Sequence, residues 1–128
     1  MPQTTFRAVE SALQDGVDVA VVIVDDCSPK PLSLPETLRN DSRVELICHA
    51  ENQGAGASRN TGVRAASTPW VAFLDADDVL IENTLAERLA DARSHGSADN
   101  AIHVCGWRET QSKRDRFPRG AADLEDLS

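Results

Sequence analysis

The stretch Trp70-Val71-Ala72-Phe73-Leu74-Asp75-Ala76-Asp77-Asp78 decides how this chain is read. A short apolar run, β-branched and aromatic and preceded by Pro69, has the character of a buried strand. It ends in three carboxylates within four residues. In an open α/β sheet the ligand crevice lies outside the carboxyl ends of the strands, so acids there face a binding site. Close carboxylates repel unless a positive charge sits between them. An all-oxygen set suits Mg²⁺ or Mn²⁺, which keeps waters and shares its shell with substrate phosphate. Aspartates are also favoured at helix N-termini, so Asp78 as a cap and Asp77 as a ligand are compatible readings.

Working outward, Val19 to Val24 is a near-continuous β-branched run, the pattern of a strand covered on both faces. It too ends in acids, Asp25-Asp26-Cys27-Ser28. Pro29, Pro31 and Pro35 mark a loop leading to a short helix over 35–40, and Val44 to Cys48 reads as a strand nearer an edge. Glu51-Asn52-Gln53-Gly54-Ala55-Gly56 suits a tight turn into a helix lasting to Ala66, whose small residues permit close approach to the sheet. Phe6, Val9, Ala12 and Leu13 predict an opening helix over 3–14, stopped by Asp15-Gly16. Leu85, Leu89 and Ala92 share one face of a helix over 82–94. Ala101 to Cys105 reads as a further strand. Residues 1–110 form the folded part, and 111–128 a polar tail without a core of its own.

This alternation means an α/β fold with a mostly parallel sheet and helices on both faces. Folds of this class begin with a strand, whereas this chain begins with the helix that should follow one. The Val19 to Val24 strand is then left with an unpaired apolar edge, from which self-association is expected.

With 128 residues and 41% hydrophobic content, the chain makes about one domain with a real core. A net charge of −8 without a basic block argues on electrostatic grounds against nucleic acid or an anionic membrane surface as a partner. No apolar run approaches the roughly 20 residues of a membrane span. Residues 1–15 are too polar for a signal peptide, so the expected location is cytoplasmic, the inner face of the membrane included. Cys27, Cys48 and Cys105 have no metal-type spacing and are expected as buried thiols. His49, His95 and His103 fit no ligand spacing and are expected to be solvated or internally satisfied.

Acid clusters at the ends of two parallel strands define one crevice. Asp25 and Asp26 there either make local turn hydrogen bonds or accept from a nucleobase N–H or ribose hydroxyl. The Gly54-Ala55-Gly56 turn departs from the dinucleotide and Walker A patterns. Arg59, one turn into its helix, reaches a surface acid, a phosphate or the first acid cluster.

Three segments together, Val22-Val-Ile-Val-Asp-Asp-Cys-Ser, Glu51-Asn-Gln-Gly through Ser58-Arg-Asn-Thr-Gly, and Phe73-Leu-Asp-Ala-Asp-Asp, resemble the family 2 glycosyltransferases. The resemblance covers residues 4–110 and implies a Rossmann-like half of the GT-A fold. It also implies a UDP- or dTDP-sugar donor and a Mg²⁺ or Mn²⁺ ion. By motif, Asp26 would hold the base, Arg59 would line the nucleotide site, and Asp75 would approach the ribose. Asp77, with Asp75 in the DXD motif, would bind the metal. Asp25, Ser28, Asn52 and Gly54 belong to the same implied nucleotide-sugar site. The chain departs from the family in having no tyrosine for the usual Pro-x-Tyr-Asn segment. It also lacks a recognisable downstream general base or Gln-x-x-Arg-Trp motif, and Glu125-Asp126 arrives too early to serve. No catalytic residue is therefore assigned within the chain, which resembles the donor-binding middle of a larger enzyme.

Two other readings compete. One is a non-catalytic remnant or weak nucleotide-binding module. The other is a receiver-like signalling domain, disfavoured because Lys30 and Lys113 lie in a proline loop and a polar segment, not at the end of a late strand.

Overall fold

The β-branched run does form a strand. In the computed structural model, which describes residues 2–13 and 17–94 and the two strands of a later hairpin, β1 is Val21–Asp25. It pairs in parallel with β2, Val44–Cys48, in a register that sets Val21 beside Val44, Ile23 beside Leu46 and Asp25 beside Cys48. The crossover passes through the short helix α2, Glu36–Arg39. The opening helix α1 spans Pro2–Ala12 and buries Ala8, Val9 and Ala12, as its apolar spacing requires. Helix α3 is Ala55–Ala65, and α4 is Thr84–Ser94.

Alternate residues of β1 serve opposite faces. On one face Ile23 joins Val9, Leu34 and Leu38 in the buried core, with Phe6, Leu13, Val21, Leu32, Val44 and Leu46 packed around them. On the other face α3 comes close. A Cβ added at Gly62 would lie 3.8 Å from Val24 Cγ2. The small residues of α3 thus allow the close approach expected of them, and β1 is covered on both faces. Helix α4 places Leu85 and Leu89 half-buried and Ala92 buried along one stripe.

The chain divides into two units, Met1–Ala90 and Asp91–Ser128. In the second, β3 (Trp107–Glu109) pairs antiparallel with β4 (Arg114–Arg116). The strand expected over Ala101 to Cys105 and most of the expected tail lie outside the described residues.

Two expectations are corrected. The run Trp70 to Leu74 is not a buried strand: it is irregular, with Trp70 38%, Val71 45% and Phe73 58% exposed. Strand character is realised only by pairing, and the parallel sheet of the described residues contains β1 and β2 alone. The bonds Val21 N–H to Arg43 O and His49 N–H to Asp25 O turn the odd-numbered residues of β1 towards β2. The backbone groups of Val22 and Val24 therefore face the open edge. The cysteines are the second correction. Cys27 and Cys48 are free and exposed, one at a positive φ of 58° in the loop after β1 and the other at the tip of β2, past the edge of the core. Cys105 lies outside the described residues.

Candidate functional site

The site grows from the carboxyl tip of β1. Asp25 is buried, and its two oxygens accept from the loop that follows, Oδ1 from Ser28 N–H at 3.1 Å and Oδ2 from Leu32 N–H at 3.0 Å. The Ser28 side chain, with the Leu32 and Ser28 amides, holds the Asp25 carboxyl below its ordinary 3.8 despite burial. Its carboxylate folds the proline loop back over the core. This is the local-turn reading of the first acid pair, realised for Asp25.

Asp26 reaches across to the turn after β2. Its Oδ1 accepts from His49 Nδ1 at 2.7 Å and from Gln53 N–H at 2.9 Å, while Oδ2 accepts from Gly54 N–H at 2.7 Å. Asn52 Nδ2 donates to the Asp26 carbonyl at 3.2 Å. The Gln53 amide, then His49, then the Gly54 amide hold the Asp26 carboxyl below the usual range. The turn is possible because Gly54 adopts φ 88°, ψ 165°, a conformation essentially reserved for glycine. Gly54 also begins α3, so a fixed negative charge lies at the start of that helix, where its dipole favours one.

Arg59, one turn into α3, donates from Nη2 to Asp75 Oδ1 at 2.9 Å, with both side chains largely exposed at 48% and 61%. The Asp75 carbonyl accepts Asp78 N–H at 3.0 Å, closing a turn. Leu80 N–H donates to Ser11 Oγ of α1 at 3.0 Å. The second acid segment is thus tied at both ends. Asp77 is exposed at the tip of that turn and forms no hydrogen bond or ion pair among the described residues.

Of the residues singled out in the sequence, Asp26, Asn52 and Gly54 meet directly, as do Asp25 with Ser28 and Arg59 with Asp75. A continuous path, Asp26 to Gly54, along α3 to Arg59 and on to Asp75, joins the two acid clusters. Asp77 touches none of them. The three acids of the second cluster do not form a cage: no group of three or more His, Cys, Asp or Glu side chains that could hold a metal occurs among the described residues. Asp75 carries its countercharge in Arg59 instead. What remains is the exposed carboxylates of Asp77 and Asp78 on a turn, which suit a Mg²⁺ or Mn²⁺ ion bound through one or two carboxylates and substrate phosphates, and not a dedicated protein cage.

His49 is satisfied, as expected, but its place is central. Its side chain is 8% exposed, and Nε2 lies 2.9 Å from Thr61 Oγ1. The signal for it was the parallel register: pairing Asp25 with Cys48 sends Asp26 and His49 out of the sheet side by side.

Residues 2–125 match the family model described as Glycosyl transferase family 2. The chain is 42% identical over 95 residues to the succinoglycan biosynthesis protein ExoO of Rhizobium meliloti (strain 1021), a match that covers 73% of this chain and 27% of that protein. It is 33% identical over 105 residues to the putative glycosyltransferase EpsH of Bacillus subtilis (strain 168), covering 82% of this chain and 29% of that protein. The chain therefore spans less than a third of these curated relatives. No solved structure matches it. Among the described residues no helix is long and apolar enough to cross a membrane.

Proposed function

The chain belongs to glycosyl transferase family 2, and from that premise we propose that it is the donor-binding part of an enzyme moving a sugar from a nucleotide diphosphate to an acceptor. The observation that carries this reading is the Asp26 carboxylate locked to the Gln53 and Gly54 amides at the start of the helix that presents Arg59. Oδ1 of Asp26 already accepts two hydrogen bonds and Oδ2 one, which leaves an acceptor position on Oδ2 for a nucleobase N–H. Arg59 would line the diphosphate. Its exposed pair with Asp75 contributes little to stability, so a phosphate can replace that partner at small cost. Asp75, once released, would approach the ribose, and Asp77, two residues further on, would with Asp75 hold Mg²⁺ or Mn²⁺. An ion held there would supply neutralisation of the diphosphate leaving group. Asp25 and Ser28 support the site from below, and Asn52 fixes the turn.

The donor in this reading is a UDP- or dTDP-sugar, and the protein works in the cytoplasm. The open edge of β1 and the exposed Phe73 make self-association part of the same proposal. The exposed run Trp70 to Leu74 favours a second reading, a module that binds the nucleotide without turnover. Calorimetric titration of UDP and dTDP, with and without Mn²⁺, tests both. Saturable, metal-dependent binding weakened by Asp77→Asn is expected. Affinity indifferent to metal and to that substitution removes the basis of the proposal. Hydrolysis of the donor sugar in the same samples separates an enzyme from a binding module.

A further inference from the structure

We propose that His49 is a positioning residue of the nucleotide site, acting through Asp26; the inference rests on the donor-binding reading above. His49 follows β2 directly, and its backbone N–H continues the ladder by donating to Asp25 O at 2.8 Å. From there its ring joins three elements. Nδ1 meets Asp26 after β1 at 2.7 Å, and Nε2 meets Thr61 of α3 at 2.9 Å.

The carboxylate fixes one hydrogen: it can only accept, so Nδ1 donates to Asp26 Oδ1, while Nε2 shares a hydrogen bond with the Thr61 hydroxyl, which can donate or accept. Oδ1 is thereby held by two donors, His49 and Gln53, and Oδ2 by Gly54, so the carboxylate plane is fixed at three points. Without the imidazole donor, only the Gln53 and Gly54 amides orient the Asp26 carboxylate. The acceptor position offered to a base would then swing about the side-chain torsion. The Thr61 arm has a different task. Ser58, Thr61, Gly62 and Ala65 form the inner stripe of α3, so a hold on Thr61 seats the helix against the sheet without touching Asp26.

The two arms are separable by amide substitution. Asn in place of His reproduces a donor near Nδ1, and Gln reproduces a polar group near Nε2. The experiment compares His49→Asn, His49→Gln and His49→Leu in the 128-residue chain. Three quantities are read: the affinity for UDP and for dTDP in Mn²⁺, hydrogen exchange at the Gln53 and Gly54 amides, and the thermal midpoint. His49→Leu and His49→Gln are expected to weaken binding about tenfold, as for one charge-assisted hydrogen bond, and to speed exchange at both amides. His49→Asn is expected to restore both to near the parent values, although its thermal midpoint matches that of His49→Gln. The proposal is overturned if His49→Gln rescues as well as His49→Asn, or if His49→Leu leaves affinity and exchange unchanged. Should His49→Leu fail to fold, the comparison of the two amides decides alone. Should the parent chain bind neither nucleotide, the donor-binding reading fails, while the amide exchange still judges the His49 contact by itself.

Discussion

Replacing Gly54 and Gly56 separately by alanine isolates the backbone conformation on which the Asp26 turn depends. A Cβ at either position meets nothing within 4 Å, so steric crowding cannot distinguish them. The difference is in φ. Gly54 sits at φ 88°, ψ 165°, whereas Gly56 lies within α3. Forcing alanine into the region held by Gly54 costs about 1–3 kcal/mol. Escaping that cost by rotating the backbone moves the N–H that Asp26 Oδ2 accepts at 2.7 Å. Gly56→Ala instead lowers the entropy of the unfolded chain and improves helix propensity, a gain of up to about 1 kcal/mol. The two variants should thus differ by about 1–4 kcal/mol with opposite signs relative to the parent. Urea unfolding reads this as midpoints displaced in opposite directions at constant slope. In a domain of this size each kcal/mol moves the thermal midpoint by roughly 4 °C. Midpoints that move together, or a Gly54→Ala chain as stable as the parent, would refute the reasoning.

Further outcomes follow from other parts of the molecule. Leu38→Ala, at a core position 4% exposed, should cost about 2–5 kcal/mol in the same unfolding assay. Arg59→Ala should leave the unfolding midpoint almost unchanged, because its pair is exposed, yet weaken UDP binding in Mn²⁺ about tenfold. Asp25 and Asp26 titrate below the ordinary 3.8 in the folded chain, and Asp41, paired with Arg43, is held down to about 2. Because folding lowers these values, the stability they contribute is complete above the unfolded value and is lost as pH falls through the folded ones. Unfolding free energy should therefore decline below pH 3.8, and Asp25→Asn should flatten that decline. Phe73→Glu should reduce any concentration-dependent association seen by sedimentation, since Phe73 is 58% exposed.

What was legible in the sequence was what local composition determines. Val19 to Val24 and Val44 to Cys48 carry enough β-branched and apolar character to be read as strands, and the small residues before Ala66 correctly announced a helix lying close on the sheet. The Trp70 to Leu74 run carries the same signal without the same outcome, because a parallel strand also needs a neighbour to complete its ladder. At the site, the acids could be found but not their partners. Whether Asp26 addresses solvent or the Gln53 and Gly54 amides depends on strand register. So does the meeting of Asp26 with His49, 23 residues apart in sequence. Arg59 was legible as a cation near acids, whereas its choice of Asp75 over the first cluster came from the path of the segment after α3.

The account depends most on the tips of two separate segments meeting one nucleotide and one cation. Paramagnetic broadening by substoichiometric Mn²⁺ in the presence of UDP measures this directly, residue by residue. The account predicts that the amides of Gln53 and Gly54 and those of Asp75 to Asp78 broaden together, only when UDP is present, and that Asp77→Asn abolishes the effect at both places. Broadening confined to Asp75 to Asp78, or unchanged when UDP is left out, would contradict it.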